Sequence, residues 1–203
     1  MIRTLRPFVA TAVLVAALGL GARARAGDSA QTFIQSRQSQ VSQLLRQSPG
    51  SSRDKQVTSV LDDMLDYAEL AKRSLAAHWG DLSDPQRKEF SNLLRQLVVR
   101  SYEKNIKGIL DYDVEYLGEE GATEAVLVHT RATPRAAKSD EPVTIDYRVA
   151  PGDGGFRVVD IITEGSSLVG NSRNQFHRII QKDGVEALLK RMRDKVAKGQ
   201  TGV

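Results

Sequence analysis

The side chain best placed for chemistry is Asp160, an acidic residue set inside the apolar run Val158-Val159-Asp160-Ile161-Ile162. A carboxylate among aliphatic neighbours has two uses. It can serve as a general base in a sheet-lined cavity, with His129 on a nearby strand as its partner. It can instead be structural, held by an ion pair or by backbone hydrogen bonds to the corner after Gly165, with Arg173 as the candidate partner. On the ion-pair reading, removing Arg173 strands a buried charge at a cost of about 3–5 kcal/mol. We carry the structural reading forward. The stretch Gly165-Ser166-Ser167-Leu168-Val169-Gly170 lacks the Gly-x-Ser-x-Gly spacing of a nucleophile turn, and Ser167 fits better as the cap of a following helix. His78, His129 and His177 are far apart and form no metal-ligand spacing, and a chain without cysteine offers no structural zinc site. No phosphate-binding glycine loop of the ATPase kind is present, so the chain cannot power transport itself. These residues predict a protein that is not an enzyme and needs neither cofactor nor metal.

The elements that must position these residues follow from periodicity. Ala30, Phe33, Ile34, Val41, Leu44 and Leu45 recur at helical spacing, and Ser48-Pro49-Gly50-Ser51-Ser52 then breaks the chain. Val57, Val60, Leu61, Met64 and Leu65 mark a second amphipathic stretch. Tyr67, Leu70, Ala71, Ser74, Leu75, His78 and Trp79 mark a third. Asp66 either caps that third stretch or sits within one bent helix. Ser83-Asp84-Pro85 supplies a cap and a proline at the first helical position, opening a long face of Phe90, Leu93, Leu94, Leu97, Val98, Tyr102, Ile106 and Ile109.

Near residue 112 the period changes from helix to strand. Strands are predicted over 113–118, 124–133, 143–149 and 156–163, with Pro151-Gly152-Asp153-Gly154-Gly155 as a hairpin turn. The last strand does not alternate, which predicts burial on both faces. Helical spacing returns through Phe176, Ile179 and Ile180, is interrupted at Gly184, and resumes through Val185, Leu188, Leu189, Met192 and Val196. The fold class is therefore α+β: a twisted antiparallel sheet of about four strands wrapped by N- and C-terminal helices.

Residues 1–26 read as a secretory signal peptide. Arg3 and Arg6 precede an apolar run over 8–20, and Ala24-Arg25-Ala26 is a cleavage site. The run is too short to span a bilayer, which needs about 20 residues, although an uncleaved N-terminal anchor is the alternative. The signal accounts for the basic balance. Of 29 basic and 25 acidic residues, Arg3, Arg6, Arg23 and Arg25 lie in it with no acidic residue, leaving 25 of each sign in 27–203. A neutral mature chain gives no support to nucleic-acid binding. The basic run Lys190-Arg191-Met192-Arg193 reads as a solvated helix face. The expectation is one exported domain, 27–203, in the periplasm, stabilised without disulfides.

Two stretches resemble a known family. Arg73-Ser74-Leu75-Ala76-Ala77-His78-Trp79 followed by Gln86-Arg87-Lys88-Glu89-Phe90 is similar to an Arg-x-Leu-Gly-x-x-Trp segment leading into Gln-Arg-x-x-Phe. Val158-Val159-Asp160-Ile161, Glu164-Gly165-Ser166-Ser167-Leu168 and Asn171-Ser172-Arg173-Asn174-Gln175-Phe176 are similar to a Val-Tyr-Asp-Val strand, a Glu-Gly-x-Ser-Leu corner and an Asn-Tyr-Arg-x-Gln-Phe helix. Together, over nearly the whole mature chain, these resemble the MlaC or toluene-tolerance family. Phe156 stands where tryptophan is common, Val159 and Ser172 where tyrosines are, Ser166 replaces a more apolar residue, and Ala76 replaces a glycine.

The resemblance implies a monomeric periplasmic carrier of phospholipid. Such a carrier shuttles between an outer-membrane lipoprotein–porin complex and an inner-membrane ABC transporter complex, maintaining outer-membrane lipid asymmetry. The departures trim aromatic bulk and point to another lipid, such as a hopanoid, as an alternative cargo. Two further readings are a small cone-shaped α+β enzyme using Asp160, and an envelope adaptor with a broad apolar patch.

A lipid with two long acyl chains exposes roughly 30 methylenes on leaving a bilayer, about 24 kcal/mol at ~0.8 kcal/mol each. A carrier therefore needs a deep apolar pocket between sheet and helices. Its expected wall is Val126, Val128, Val143, Ile145, Tyr147 and Val149, closed by Leu97, Tyr102 and Ile106.

Overall fold

The computed structural model describes residues 29–122, 124–135, 141–152 and 154–202, with side chains 105–109 and 122 excepted. The signal-peptide reading of 1–26 and the side chain of Ile106 lie outside the described residues. The N-terminal helices are α1 (Ala30–Leu45), α2 (Ser51–Met64), α3 (Tyr67–Leu75) and α4 (Asp84–Ile109), with a 3-10 helix at Ala76–Asp81 between the last two. The strands follow as β1 (Tyr112–Ala122), β2 (Ala125–Pro134), β3 (Val143–Gly152), β4 (Gly155–Thr163) and β5 (Ser166–Ser167), and α5 (Leu168–Ala197) closes the chain. The sheet is an antiparallel meander in sequence order. It has five strands rather than four. The added strand is two residues long, too short to leave an alternation in the sequence.

Local chemistry sets the boundaries. Ser29 caps α1 by accepting from the Thr32 N–H, and Asp66 caps α3 by accepting from the Glu69 N–H at 2.8 Å. Residues 57–79 are thus two helices and not one bent helix. Between them Leu65 is extended and bridges Val158 in parallel, and the Asp66 N–H donates to the Val158 carbonyl at 3.0 Å. That extra rung is one reason β4 is covered on both faces at Val158, Val159 and Asp160.

At α4 the first turn forms a reciprocal box. Gln86 Oε1 accepts from the Ser83 N–H at 2.9 Å, while Ser83 Oγ accepts the Gln86 N–H at 3.5 Å. Because the Ser83 carbonyl takes the first helical bond from Arg87 N–H, Pro85 is the second helical residue and not the first. Its missing N–H is still one the helix cannot use. Helix α5 bends at Gly184, where φ is 83°, a conformation that favours glycine.

One face of the sheet meets the helices. Val126, Val149 and Val158 stand in register across β2, β3 and β4, as do Val128, Tyr147 and Ile161. They pack with Ile34 of α1, Leu70, Ala71 and Leu75 of α3, Phe90, Leu94 and Leu97 of α4, and Phe176 and Leu189 of α5. A smaller cluster of Val57 and Leu61 with Leu44, Leu45 and Tyr102 ties α1, α2 and α4 together.

Candidate functional site

Helix α1 lies across the core face of the sheet and touches it from β1 to β4. At its start, the Gln31 N–H donates to Glu119 of β1 at 2.7 Å, so a strand carboxylate satisfies a helix N-terminus. One turn on, the rings of Phe33 and Phe156 of β4 lie 6.2 Å apart between centroids. Further along, Gln38 Nε2 donates to the Tyr147 hydroxyl of β3 at 2.8 Å, and the Tyr116 hydroxyl of β1 donates to Gln38 Oε1. A single polar side chain on the helix thus bridges two strands across an otherwise apolar surface.

Burial pushes the Tyr147 hydroxyl up to about 12, against the opposing pull of the Gln38 hydrogen bond. The hydroxyls of Tyr102 and Tyr116 are raised as well, first by burial and then by the nearness of Tyr147. All three are neutral at any physiological pH. The contact between α1 and the sheet is therefore largely apolar, with one uncharged polar knot at Gln38.

The structure gathers most of the expected wall. Leu97, Val128, Tyr147 and Val149 are core residues of one cluster, and Val126 and Ile145 pack against it. Tyr102 of α4 packs against the neighbouring cluster on α2, and Tyr147 is near enough to help raise its pKa. Val143 is half-buried at the start of β3 opposite Ala132. Sequence reasoning missed Gln38, Tyr116 and Phe33. Gln38 sits in the polar middle of α1, and nothing local says that this turn faces tyrosines 78 and 109 residues away.

Two concavities are prominent, and neither is walled by this face. A groove of about 330 Å³ between α1 and α2 is lined largely by glutamines, among them Gln40, Gln43 and Gln56. A second, of about 430 Å³, opens beside β4 and the start of α5 and carries Arg73, Arg148 and Arg173 around Asp160. The core face itself is covered by packed side chains.

Asp160 is a buried corner residue. Its Oδ1 accepts from the Val169 N–H at 3.1 Å and its Oδ2 from the Ser167 hydroxyl at 2.7 Å, while Ser167 Oγ accepts the Gly170 N–H at 2.8 Å. Asp160 and Ser167 together cap α5. The expected ion pair to Arg173 does not form: Arg173 donates through Nε and Nη2 to the carbonyl of Arg73, both at 3.1 Å. The corner's own N–H and O–H groups satisfy the carboxylate, so no cation is required.

His129 is not a partner of Asp160 either. It stands opposite Asp146, whose carboxylate is 3.1 Å away, whereas Asp160 stands opposite Arg148. The corner also depends on Glu164, at φ 49° with Gly165 at φ 73°, a two-residue hairpin turn of the kind that matches strand twist. The Glu164 carboxylate accepts from the Thr144 N–H and hydroxyl, which lowers its pKa.

Comparison with known proteins agrees with this architecture. The family model described as MlaC protein matches residues 31–194. The intermembrane phospholipid transport system binding protein MlaC of Haemophilus influenzae is 22% identical over 200 residues, spanning 93% of this chain and 90% of that protein. The solved structure of a phospholipid-binding protein from Ralstonia solanacearum, in complex with a phospholipid, superimposes with a TM-score of 0.74 at 21% identity. The match covers 85% of this chain and 99% of that one, a likeness of fold. With the family model running from α1 through most of α5, the chain belongs to the MlaC family.

Proposed function

We propose that this protein carries phospholipid between membranes, holding acyl chains between the core face of the sheet and the layer formed by α1 and α2. The observation that carries this reading is the way α1 meets the sheet. An apolar surface three strands wide, with Val128 and Val149 fully buried, is covered by a helix whose polar contacts to it are the Glu119 cap and the Gln38 knot. Releasing those contacts frees a hydrocarbon floor while the rest of the core, held by α3, α4 and α5, stays packed.

Energetics favour such a layer. The transfer cost of about 24 kcal/mol for two acyl chains is offset only if most methylenes stay out of water. Lipid entering beneath α1 replaces the contacts that the helix gives up. The names of the two relatives, and the phospholipid bound in one of them, support the same cargo. On this reading residues 1–26 direct export and are removed, and the protein acts in the periplasm as a monomer. Outer-membrane and inner-membrane complexes load and unload it, and their differential affinity for the loaded form sets direction. That traffic maintains outer-membrane lipid asymmetry.

Native mass spectrometry of protein purified from periplasm without detergent, with lipid extraction, tests the reading. A stoichiometric adduct of phospholipid mass is expected. A hopanoid mass would keep the carrier and change its cargo. A clean apo mass that persists after incubation with vesicles would overturn the proposal.

A further inference from the structure

The three arginines beside the α5 corner are unevenly used. Arg73 holds Glu69 through Nε at 2.7 Å. Arg173 is locked by Nε and Nη2 on the Arg73 carbonyl, which fixes its guanidinium plane and leaves Nη1 uncommitted. The side chain of Arg148, half-buried on β3, has no hydrogen bond or ion pair among the described residues. All three line one concavity of about 430 Å³, with Ile162 and Val169 as its apolar wall. The acidic residue in its lining, Asp160, is hydrogen-bonded to Ser167 and Val169 and to no guanidinium, and its single carboxylate against three guanidinium groups leaves the lining net positive. At the helix terminus the Val169 and Gly170 N–H groups are already capped.

We infer that this concavity is a binding site for a phosphate group, presented either by a lipid headgroup or by a soluble phosphate ester. Guanidinium forks match phosphate oxygens in pairs, and the half-buried fork of Arg148 is taken by no other described residue. A lone carboxylate would satisfy one of the three arginines, whereas a phosphate presents enough oxygens for all of them. The volume lies in the range of small-molecule sites, roughly 300–1,000 Å³, and suits a phosphorylated headgroup better than a flat docking contact. The site is separate from the acyl-chain layer. Arg148, Asp160 and Ile162 alternate with Tyr147 and Ile161, and the register shift after Arg148 separates them from Val158, so they face away from the core side of the sheet.

The test uses the mature chain, the variants Arg148→Gln and Arg148→Lys, and three probes. These are sn-glycerol 3-phosphate by calorimetry, phosphatidylglycerol vesicles by flotation, and hexaglutamate as a carboxylate control. Loss of one charged hydrogen-bonding partner should weaken phosphate binding by about 10-fold or more in Arg148→Gln. The melting temperature should not move, since Arg148 makes no contact that the fold needs. Lysine should restore binding only in part, as a point charge without the fork.

Binding of glycerol phosphate without vesicles would identify a soluble ester as the ligand. Capture by vesicles without glycerol phosphate would identify a membrane headgroup. Failure of both probes, binding that Arg148→Gln leaves unchanged, or hexaglutamate binding where phosphate does not would overturn the inference. Acyl-chain loading of Arg148→Gln, read by native mass spectrometry, should match the unchanged chain, so this site and the carrier reading fail independently.

Discussion

Asp160 and Gln38 are both polar side chains set among apolar ones, but they are held in opposite ways. Asp160 is bonded to residues seven and nine positions away, Ser167 and Val169, and closes a tight corner between β4 and α5. Gln38 reaches Tyr116 and Tyr147 across 78 and 109 residues and joins a helix to a sheet. The corner forms as soon as the chain turns at Glu164-Gly165. The knot forms only when α1 docks. The proposed carrier would use both kinds: a corner that stays fixed while cargo comes and goes, and a seam whose few polar contacts can be exchanged.

Breaking the corner should have the largest effect. Asp160→Ala leaves the Val169 N–H buried without an acceptor and releases the Ser167 hydroxyl, so urea unfolding should show a loss of about 3 kcal/mol. A change below about 1 kcal/mol would mean that the corner is held by something other than its carboxylate.

The seam should reveal itself at high pH. Tyr147 ionises near its ordinary value of 10 when unfolded and at about 12 when folded, so the fold favours its protonated form. That contribution is complete below pH 10 and is lost as pH rises through 12, in all about 3 kcal/mol at ~1.36 kcal/mol per unit. Tyr102 and Tyr116 shift in the same direction and steepen the loss. Stability measured from pH 8 to 12 should fall in this window, and Tyr147→Phe should flatten the fall. A profile that is level to pH 12 would contradict the buried knot.

At neutral pH Tyr147→Phe should cost about 1–2 kcal/mol by leaving the Gln38 amide without its acceptor. The smallest effect belongs to Arg173→Ala. With the guanidinium exposed and bonded to a carbonyl rather than to Asp160, the cost should stay within about 1 kcal/mol by thermal melting. A loss of several kcal/mol would restore the ion pair that the geometry excludes.

Much of the fold was legible because its signals are local. Ser83-Asp84-Pro85 announces α4, Gly184 announces the bend in α5, and Val143, Ile145, Tyr147 and Val149 alternate as a strand with one buried face. The non-alternating run at Val158-Val159-Asp160 correctly signalled double-sided burial, although the cover includes Leu65 and the start of α5. The two-residue β5 left no periodic trace. Of the two structural roles open to Asp160, the structure has the hydrogen bonds to the corner after Gly165 and not the ion pair with Arg173. The sequence could not choose between them because the corner's donors come within reach only once the turn is built.

The sequence by itself determined the order of helices and strands, the faces each one buries, the capped corner at Ser167, and the resemblance that the family model bears out. Those properties depend on spacing within a few residues, where helical and strand periods and capping chemistry act directly. Tertiary structure alone decided that Gln38 meets Tyr116 and Tyr147, that Asp160 needs no cation, and that Arg73, Arg148 and Arg173 share one concavity. Each of these depends on which distant elements come to lie together, and that is set by the packing of the whole core.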